Sequence, residues 1–597
     1  MPAIAEHTLP NWDLSHLYDG PKSAALEADL SDATRRAKAF TDVYAGKLAA
    51  LDGAGFAAAI AEYEAISEIL HRTMSYGQLL FSVSTSDPDV GRFYQTLQER
   101  VTDISSVTLF FTLEINRLDD AHLERLLASD TAAGRYRPWL REVRQFRPHQ
   151  LSDEMEKLLL EKSVAGRASW VRLFEETFSD MRFDVEGEGK DMTQSQVMNL
   201  LSDKSGVKRK AAAKAFGKKL GSNIRLLTLI TNTLAKDKEI EDRWRHFDRP
   251  VSERNLANQV EDEVVDALVD SVRGAYADLS HRYYALKAKW FGTDALDYWD
   301  RNAPLPFDDA NLYSWDEAQN LVLDAYGAFA PQMADTAKRF FTEQWIDARP
   351  REGKDSGAFS HPVVPSAHPY ILMNFHGKSR DVMTLAHELG HGVHQVLAAD
   401  QGTLMADTPL TTAETASVFG EMLTFRKMVD TEQDPTRRKI LIAGKVEDML
   451  NTVVRQIAFH EFERCVHDER KSGELSAERL GEIWLKIQGE SLGPAIRFDD
   501  NYKNYWAYIP HFVHTPFYVY AYAFGDCLVN SLYGVFASGH EGFQRKYLDM
   551  LSAGGTKRHK ELLAPFGLDA SDPDFWNQGL NVIKGFISEL EAMEDGV

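Results

Sequence analysis

The sequence predicts a mostly α-helical fold with one small β-sheet beside a helix that carries the pattern H-E-x-x-H. Three observations lead there. Apolar residues recur every three to four positions through long stretches, as at Phe56, Ile60, Tyr63, Ile66, Leu70 and Met74, which is one face of a helix buried against a neighbour. Strand-like runs are short and confined to residues 181–193 and 357–375. Finally, Thr384–Gln395, TLAHELGHGVHQ, sits in a believable amphipathic pattern and stacks His387 and His391 on one helical face.

In chain order, Trp12–Asp19 reads as a short lead-in, and Asp19-Gly20-Pro21 as a turn. The helical stripe from Phe56 to Met74 ends at Asp87-Pro88. A second helical pattern runs from about Val90 through Ile115, and a third starts near Ala121 with Asp119-Asp120 as its cap. Met181–Thr193, MRFDVEGEGKDMT, reads as a β-hairpin. The basic run Lys204–Lys219 reads as a solvated helix face, because alanines alternate with its lysines. Asn302–Asp309, with Pro304 and Pro306, marks a linker. Gly357–Ser360 and Tyr370–Phe375 form a small antiparallel sheet, whose edge strand either pairs with an extended peptide or only positions the next helix. Asp381 is expected to N-cap that helix. Its Val382, Leu385, Leu389, Val393 and Val396 make the buried face. Gly390 and Gly392 weaken it by about 1 kcal/mol each relative to alanine, which points to close approach of another helix or a ligand.

Composition narrows the function classes. A chain of 597 residues exceeds the size of one core, so two or three helical subdomains are expected. A net charge of -23 disfavours a nucleic-acid-binding surface, which concentrates Lys and Arg. Two cysteines, Cys465 and Cys527, are too few for a disulfide framework, and no signal-like leader or apolar run of about 18 residues occurs. Secretion and membrane spanning are disfavoured, and a cytoplasmic location is expected.

The chemistry concentrates at His387, Glu388 and His391. Two imidazoles one helical turn apart can share a metal ion, with Glu388 beside its open position. The pentapeptide alone would arise by chance in roughly one chain in twenty of this composition. A metzincin pattern fails, since His394 stands where a glycine belongs and Leu397 where the last histidine belongs. His394 also lies about 10.5 Å along the helix from His387, too far to share an ion with bonds of about 2 Å. It is assigned a supporting or structural role. The third ligand falls to Glu414 or Glu421 in TTAETASVFGE, either of which could point at the metal.

TLAHELGHGVH followed by ETASVFGE resembles the thimet oligopeptidase and oligoendopeptidase F family of zinc peptidases. The opening PNWDLSHLY, the stretch PYILMNFHGKSRDVMTLAHELGH, RQIAFHEFE from Arg455, HFVHTPFYVYAYAFG from His511 and the closing DPDFWNQGL resemble its oligoendopeptidase F branch, so the likeness spans nearly the whole chain. The resemblance implies one Zn²⁺ per chain held by His387, His391 and Glu414, with Glu388 as general base and Glu421 supporting the ligands. It also implies an elongated multi-helix peptidase fold with a deep central channel. Residues 1–200 would form an N-terminal helical region and 201–597 the catalytic domain.

In the family a histidine and tyrosines near His511–Phe524 stabilise the oxyanion and hold substrate. His511 and Tyr520 are placed first here, with Tyr518, Tyr522 and His514 as substrate-binding neighbours; if this segment is helical, Tyr518 and Tyr522 share a face and Tyr520 points elsewhere. Gly357 and Phe359 resemble part of the family's substrate-backbone strand. The implied activity is cleavage of internal bonds in short, unstructured peptides. Terminal cleavage on the same scaffold, or peptide binding without catalysis, are the alternatives. Oligomeric state, side-chain preference and peptide length limits are not legible.

Overall fold

The computed structural model describes residues 9–163, 165–306, 312–355 and 357–595. Its chain forms two compact units, each assembled from three stretches: Met1–Arg147, Ala310–Thr431 and Gly539–Leu568 in the first, Pro148–Asp309, Glu432–Ser538 and Asp569–Val597 in the second. These units follow packing and are discontinuous, unlike the expected division at residue 200.

In the first unit, helices Ala24–Tyr44, Gly53–Ser82 and Pro88–Thr108 pack on one another. Their stripes meet in one core, where Leu30, Phe40, Phe56, Ile60, Ile66 and Phe111 are excluded from water. Asp87-Pro88 opens a helix rather than ending one. The Asp87 carboxylate accepts from the amides of Asp89 and Val90, while Pro88 occupies the first turn, where no amide is needed. The expected Val90–Ile115 helix is divided at Leu109 into Pro88–Thr108 and Phe110–Arg117. Asp119 caps Asp120–Ser129 as expected, accepting from His122 N.

The small sheet of this unit has Tyr370–Leu372 at its centre, antiparallel to Phe359–His361 and parallel to a two-residue strand, Ile346–Asp347. The antiparallel pair matches the sequence reading. The third strand is too short to show a period of two. Asp347 is fully buried; Lys354 Nζ lies 2.8 Å and Arg351 Nη1 2.7 Å from its carboxylate. Lys354 also donates to the carbonyls of Asp347, Arg349 and Met373, pinning the loop that leads to the edge strand.

The second unit is organised on Gly206–Trp244, a 39-residue helix about 58 Å long. The predicted hairpin is present as Phe183–Val185 against Gly189–Met192. Within the basic run Lys210 and Lys218 are exposed. Arg209 is buried with Nη2 2.7 Å from Asp300, and Lys214 pairs with Asp499, so only part of the run is solvated. Of the expected linker, 302–306 carries no helix or strand and 307–309 lie outside the described residues. Cys465 and Cys527 are both free thiols, and no described helix is long and apolar enough to cross a membrane.

Candidate active site

The H-E-x-x-H helix is Ser379–Ala398. Lys378, not Asp381, is its N-cap. Asp381 sits within the first turn and reaches back, its Oδ2 accepting from His376 N at 2.8 Å and Lys378 N at 3.0 Å. Val382, Leu385, Leu389 and Val393 are buried, which leaves His387 and His391 on an adjoining face with ring centroids 4.9 Å apart. Both glycines mark close approaches. A Cβ at Gly390 would lie 2.4 Å from Ala416 O and 2.6 Å from Ser417 Cα; one at Gly392 would enter the Phe340 ring. The helix Thr415–Thr431 therefore crosses the metal helix with backbone against backbone.

Glu414 occupies the break between Leu410–Ala413 and Thr415–Thr431, with φ −80° and ψ 0°. Ser417 Oγ donates to its Oε2 at 2.7 Å, and Tyr547 Oη donates to the neighbouring Thr415 carbonyl at 2.8 Å. The Glu414 Oε2 atom lies 3.3 Å from His387 Nε2 and 3.4 Å from His391 Nε2. Metal–ligand bonds of about 2.0–2.2 Å in a tetrahedron put neighbouring donors roughly 3.3–3.5 Å apart, so the spacing fits a zinc-sized ion. Among the described residues this is the one His/Cys/Asp/Glu group whose donor atoms gather so closely, all within 4.8 Å. Glu421 is placed behind it, Oε2 3.3 Å from His387 Nδ1, where it can fix that ring's orientation. His394 is buried, and its burial pushes its pKa down to about 4, so it is neutral at pH 7.

Glu388 is only 6% exposed, and burial raises its pKa while the nearby His387 and His391 restrain the rise. Burial also acts to raise Glu414, but its hydrogen bonds to His387 and His391 outweigh that and hold it well below the usual carboxylate range. For His387, burial opposes the charge, yet Glu414 and Glu421 lift the ring well above its ordinary value.

The edge strand Phe359–His361 is docked onto the same helix. The Ser360 amide acts to lower the Glu388 pKa, and Ser360 O accepts from Gln395 Nε2 at 3.2 Å. Ser360 Oγ donates to Gln395 Oε1 at 2.9 Å. The Ser360 carbonyl and hydroxyl are thus engaged by the helix, at the edge that the sequence left open between pairing with a peptide and positioning the helix. Gly357 is exposed with its N–H held by Asp355 Oδ1, and Phe359 is half-buried beside Trp12.

His511, Tyr518 and Tyr522 belong to the second unit and form one cluster there. His511 Nε2 is 3.3 Å from Tyr522 Oη, and the Tyr518 and Tyr522 centroids are 5.2 Å apart. Burial, then Arg455 and His514, lower the His511 pKa. The expectation for Tyr520 is corrected: it is fully buried at the start of helix Tyr520–Ala537, and its hydroxyl accepts from Asn258 Nδ2 at 2.8 Å. A group that meets substrate cannot sit there, whereas Tyr522 is half-exposed. His514 is exposed, 3.5 Å from Glu175.

The turn between His514 and Tyr520 holds Phe517 at φ +59°, a left-handed conformation rare for such a residue. Ionisable side chains grip its backbone. Arg167 donates to the carbonyls of Val513 and His514, Arg254 to that of Pro516, and Phe517 N–H donates to Glu463 at 2.8 Å. Sequence reasoning missed these three residues. The available signal was Glu463 itself, a carboxylate flanked by apolar Ile457, Phe459, Phe462 and Val466.

Comparison with known proteins agrees with this picture. The model of peptidase family M3 matches residues 199–582, and that of oligopeptidase F matches residues 114–183. Oligopeptidase PepF of Bacillus subtilis is 28% identical over 572 residues, covering 92% of this chain and 82% of that protein. Group B oligopeptidase PepB of Streptococcus agalactiae is 26% identical over 600 residues, covering 98% and 96%. The crystal structure of oligoendopeptidase-F from Enterococcus faecium superposes with a TM-score of 0.73 at 21% identity, covering 96% of this chain and 98% of that one, which establishes a shared fold. A family model spanning well over half the sequence, on a fold of that kind, shows that the chain belongs to peptidase family M3.

Proposed function

We propose that this protein is a zinc-dependent oligoendopeptidase that cleaves internal bonds of short, unstructured peptides. The observation that carries the reading is the close gathering of His387 Nε2, His391 Nε2 and Glu414 Oε2, with Glu388 next to them on the same helix. Bound there, zinc would supply a Lewis acid able to polarise the scissile carbonyl and make a water more acidic. Glu388 accepts the proton of the attacking water and returns it to the departing amine, and its raised pKa brings its basicity closer to that task. His511, with Tyr522 in the place first given to Tyr520, is proposed as a donor to the developing oxyanion, and Tyr518 as its neighbour on substrate; this rests on the resemblance and on their exposure. The free thiols of Cys465 and Cys527 support a cytoplasmic location, and the likeness to the oligopeptidases of Bacillus subtilis and Streptococcus agalactiae supports a peptide-degrading role.

The test is Glu388→Gln. It should bind zinc as the parent does and lose hydrolysis of a quenched internal-cleavage peptide by a thousandfold or more; full activity would sink the mechanism. Mass spectrometry of products from the parent, with and without chelator, separates internal cuts from dipeptidyl or carboxypeptidase action. Bound peptide without turnover would indicate a binding protein.

A further inference from the structure

A cavity of about 260 Å³ in the first unit is lined by His391 and also by His394, Gln395, Ala398, Ala413 and Asp407. One of the proposed zinc ligands therefore shares a wall with an aspartate. A second cavity, of about 230 Å³, meets the first at Gln395, Ala406 and Asp407. Asp407 is exposed, and among the described residues no hydrogen bond or ion pair reaches its carboxylate, though His71 acts on it electrostatically. The surrounding protein raises its pKa, with His71 acting weakly against that, as befits a carboxylate set in a concave wall rather than on an open loop.

The electrostatics of the walls are one-sided. His394 is neutral at pH 7. The lone Lys or Arg among the residues lining the two cavities is Arg339, which is paired with Glu343 at 3.0 Å and stacked over Trp345. Thr403, in the second cavity, donates to Glu68 and adds no positive charge. The backbone that presents Asp407 is held tightly, since Gly555 N donates to Met405 O and a Cβ at Gly555 would lie 2.4 Å from Asp407 O. Asp407 belongs to no described group with metal-ligand spacing, so a second metal is not what the carboxylate awaits.

We propose that this cavity is a specificity pocket that takes the side chain of a lysine or arginine flanking the scissile bond, with Asp407 as its counter-ion. The inference rests on the peptidase reading above. The three alanines Ala398, Ala406 and Ala413 leave room for an aliphatic stem, and the carboxylate binds the cationic head.

The experiment digests a mixed peptide library with the zinc-loaded enzyme and sequences the products, then compares matched peptides carrying Lys, Arg, Glu or norleucine at the selected position. The parent should enrich Lys and Arg at one position next to the cut. Asp407→Asn should lose at least tenfold in kcat/KM on the Lys and Arg peptides while cleaving the norleucine peptide within about threefold of the parent. Asp407→Lys should shift preference toward Glu. Unbiased cleavage by the parent, or equal loss on all peptides in Asp407→Asn, overturns the pocket and leaves the peptidase reading standing. Failure of the parent to cleave any library member overturns the peptidase reading, and the pocket with it.

Discussion

Replacing Gly390 by alanine tests whether the metal site is built by backbone contact between two helices. The added methyl would lie 2.4 Å from Ala416 O, against an ordinary contact of about 3.5 Å, so the two elements must part by roughly 1 Å. Ala416 is two residues from Glu414, so the parting falls on the 3.4 Å edge between His391 Nε2 and Glu414 Oε2. Zinc sites tolerate ligand errors of about 0.2 Å, and disturbed ligand support typically costs 10–100-fold in affinity. Gly390→Ala should therefore bind zinc at least tenfold more weakly, measured by competition with a chromogenic chelator, and its melting temperature should rise less on adding zinc than the parent's. Gly444→Ala is the control. That helical glycine is exposed and meets nothing within 4 Å, so alanine there should leave affinity unchanged and stabilise the protein by up to about 1 kcal/mol. Unchanged zinc affinity in Gly390→Ala would refute the reasoning.

The tyrosine assignment gives a paired prediction. Tyr522→Phe should lower kcat by roughly a hundredfold, as loss of one oxyanion donor does, with KM little changed. Tyr520→Phe should keep near-parental kcat and instead lose about 1–3 kcal/mol of stability by stranding Asn258; the reverse pattern in steady-state kinetics would restore Tyr520 to the chemistry. Glu463 predicts a pH dependence. Burial raises its pKa from 4.5 to about 8, against the pull of the Phe517 N–H, then Arg254 and Lys238, while His460 and His467 on the same helix are neutral at pH 7. A carboxyl whose pKa is raised on folding contributes stability below its unfolded value and loses it as pH climbs toward 8. The interval, at roughly 1.4 kcal/mol per pH unit, caps the loss at about 5 kcal/mol. Glu463→Gln keeps the acceptor for Phe517 N–H and should flatten the decline in melting temperature between pH 5 and 8. Parallel profiles for variant and parent would exclude Glu463 as its source.

The metal helix was legible because its signals are local. Apolar spacing from Val382 to Val393 and the one-turn separation of His387 and His391 are properties of consecutive residues, and the glycines announced a close neighbour. What lay beyond reach depended on partners distant in the chain. Ser360 and Gln395 are 35 residues apart, and neither carries a motif that announces their pairing. The sequence set Tyr520 apart from Tyr518 and Tyr522 but placed it first for the chemistry, whereas its hydroxyl is held by Asn258, 262 residues away. Asp381 shows a finer limit: a good capping residue was recognised, but capping from the third helical position looks the same in sequence as capping from the first. Glu414 was found as one of two candidates, and the break that turns it toward the histidines has no signature among the helix-favouring residues around it.

The turn at Phe517 draws on Arg167, Arg254 and Glu463, three residues scattered over nearly 300 positions of sequence. None can act until its own helix has docked. A strained turn secured this way forms late during synthesis, because Glu463 and the turn itself emerge long after Arg167. His511, Tyr518 and Tyr522 consequently acquire their arrangement only once most of the chain has been made. A nascent or partly assembled chain would hold these side chains without their geometry.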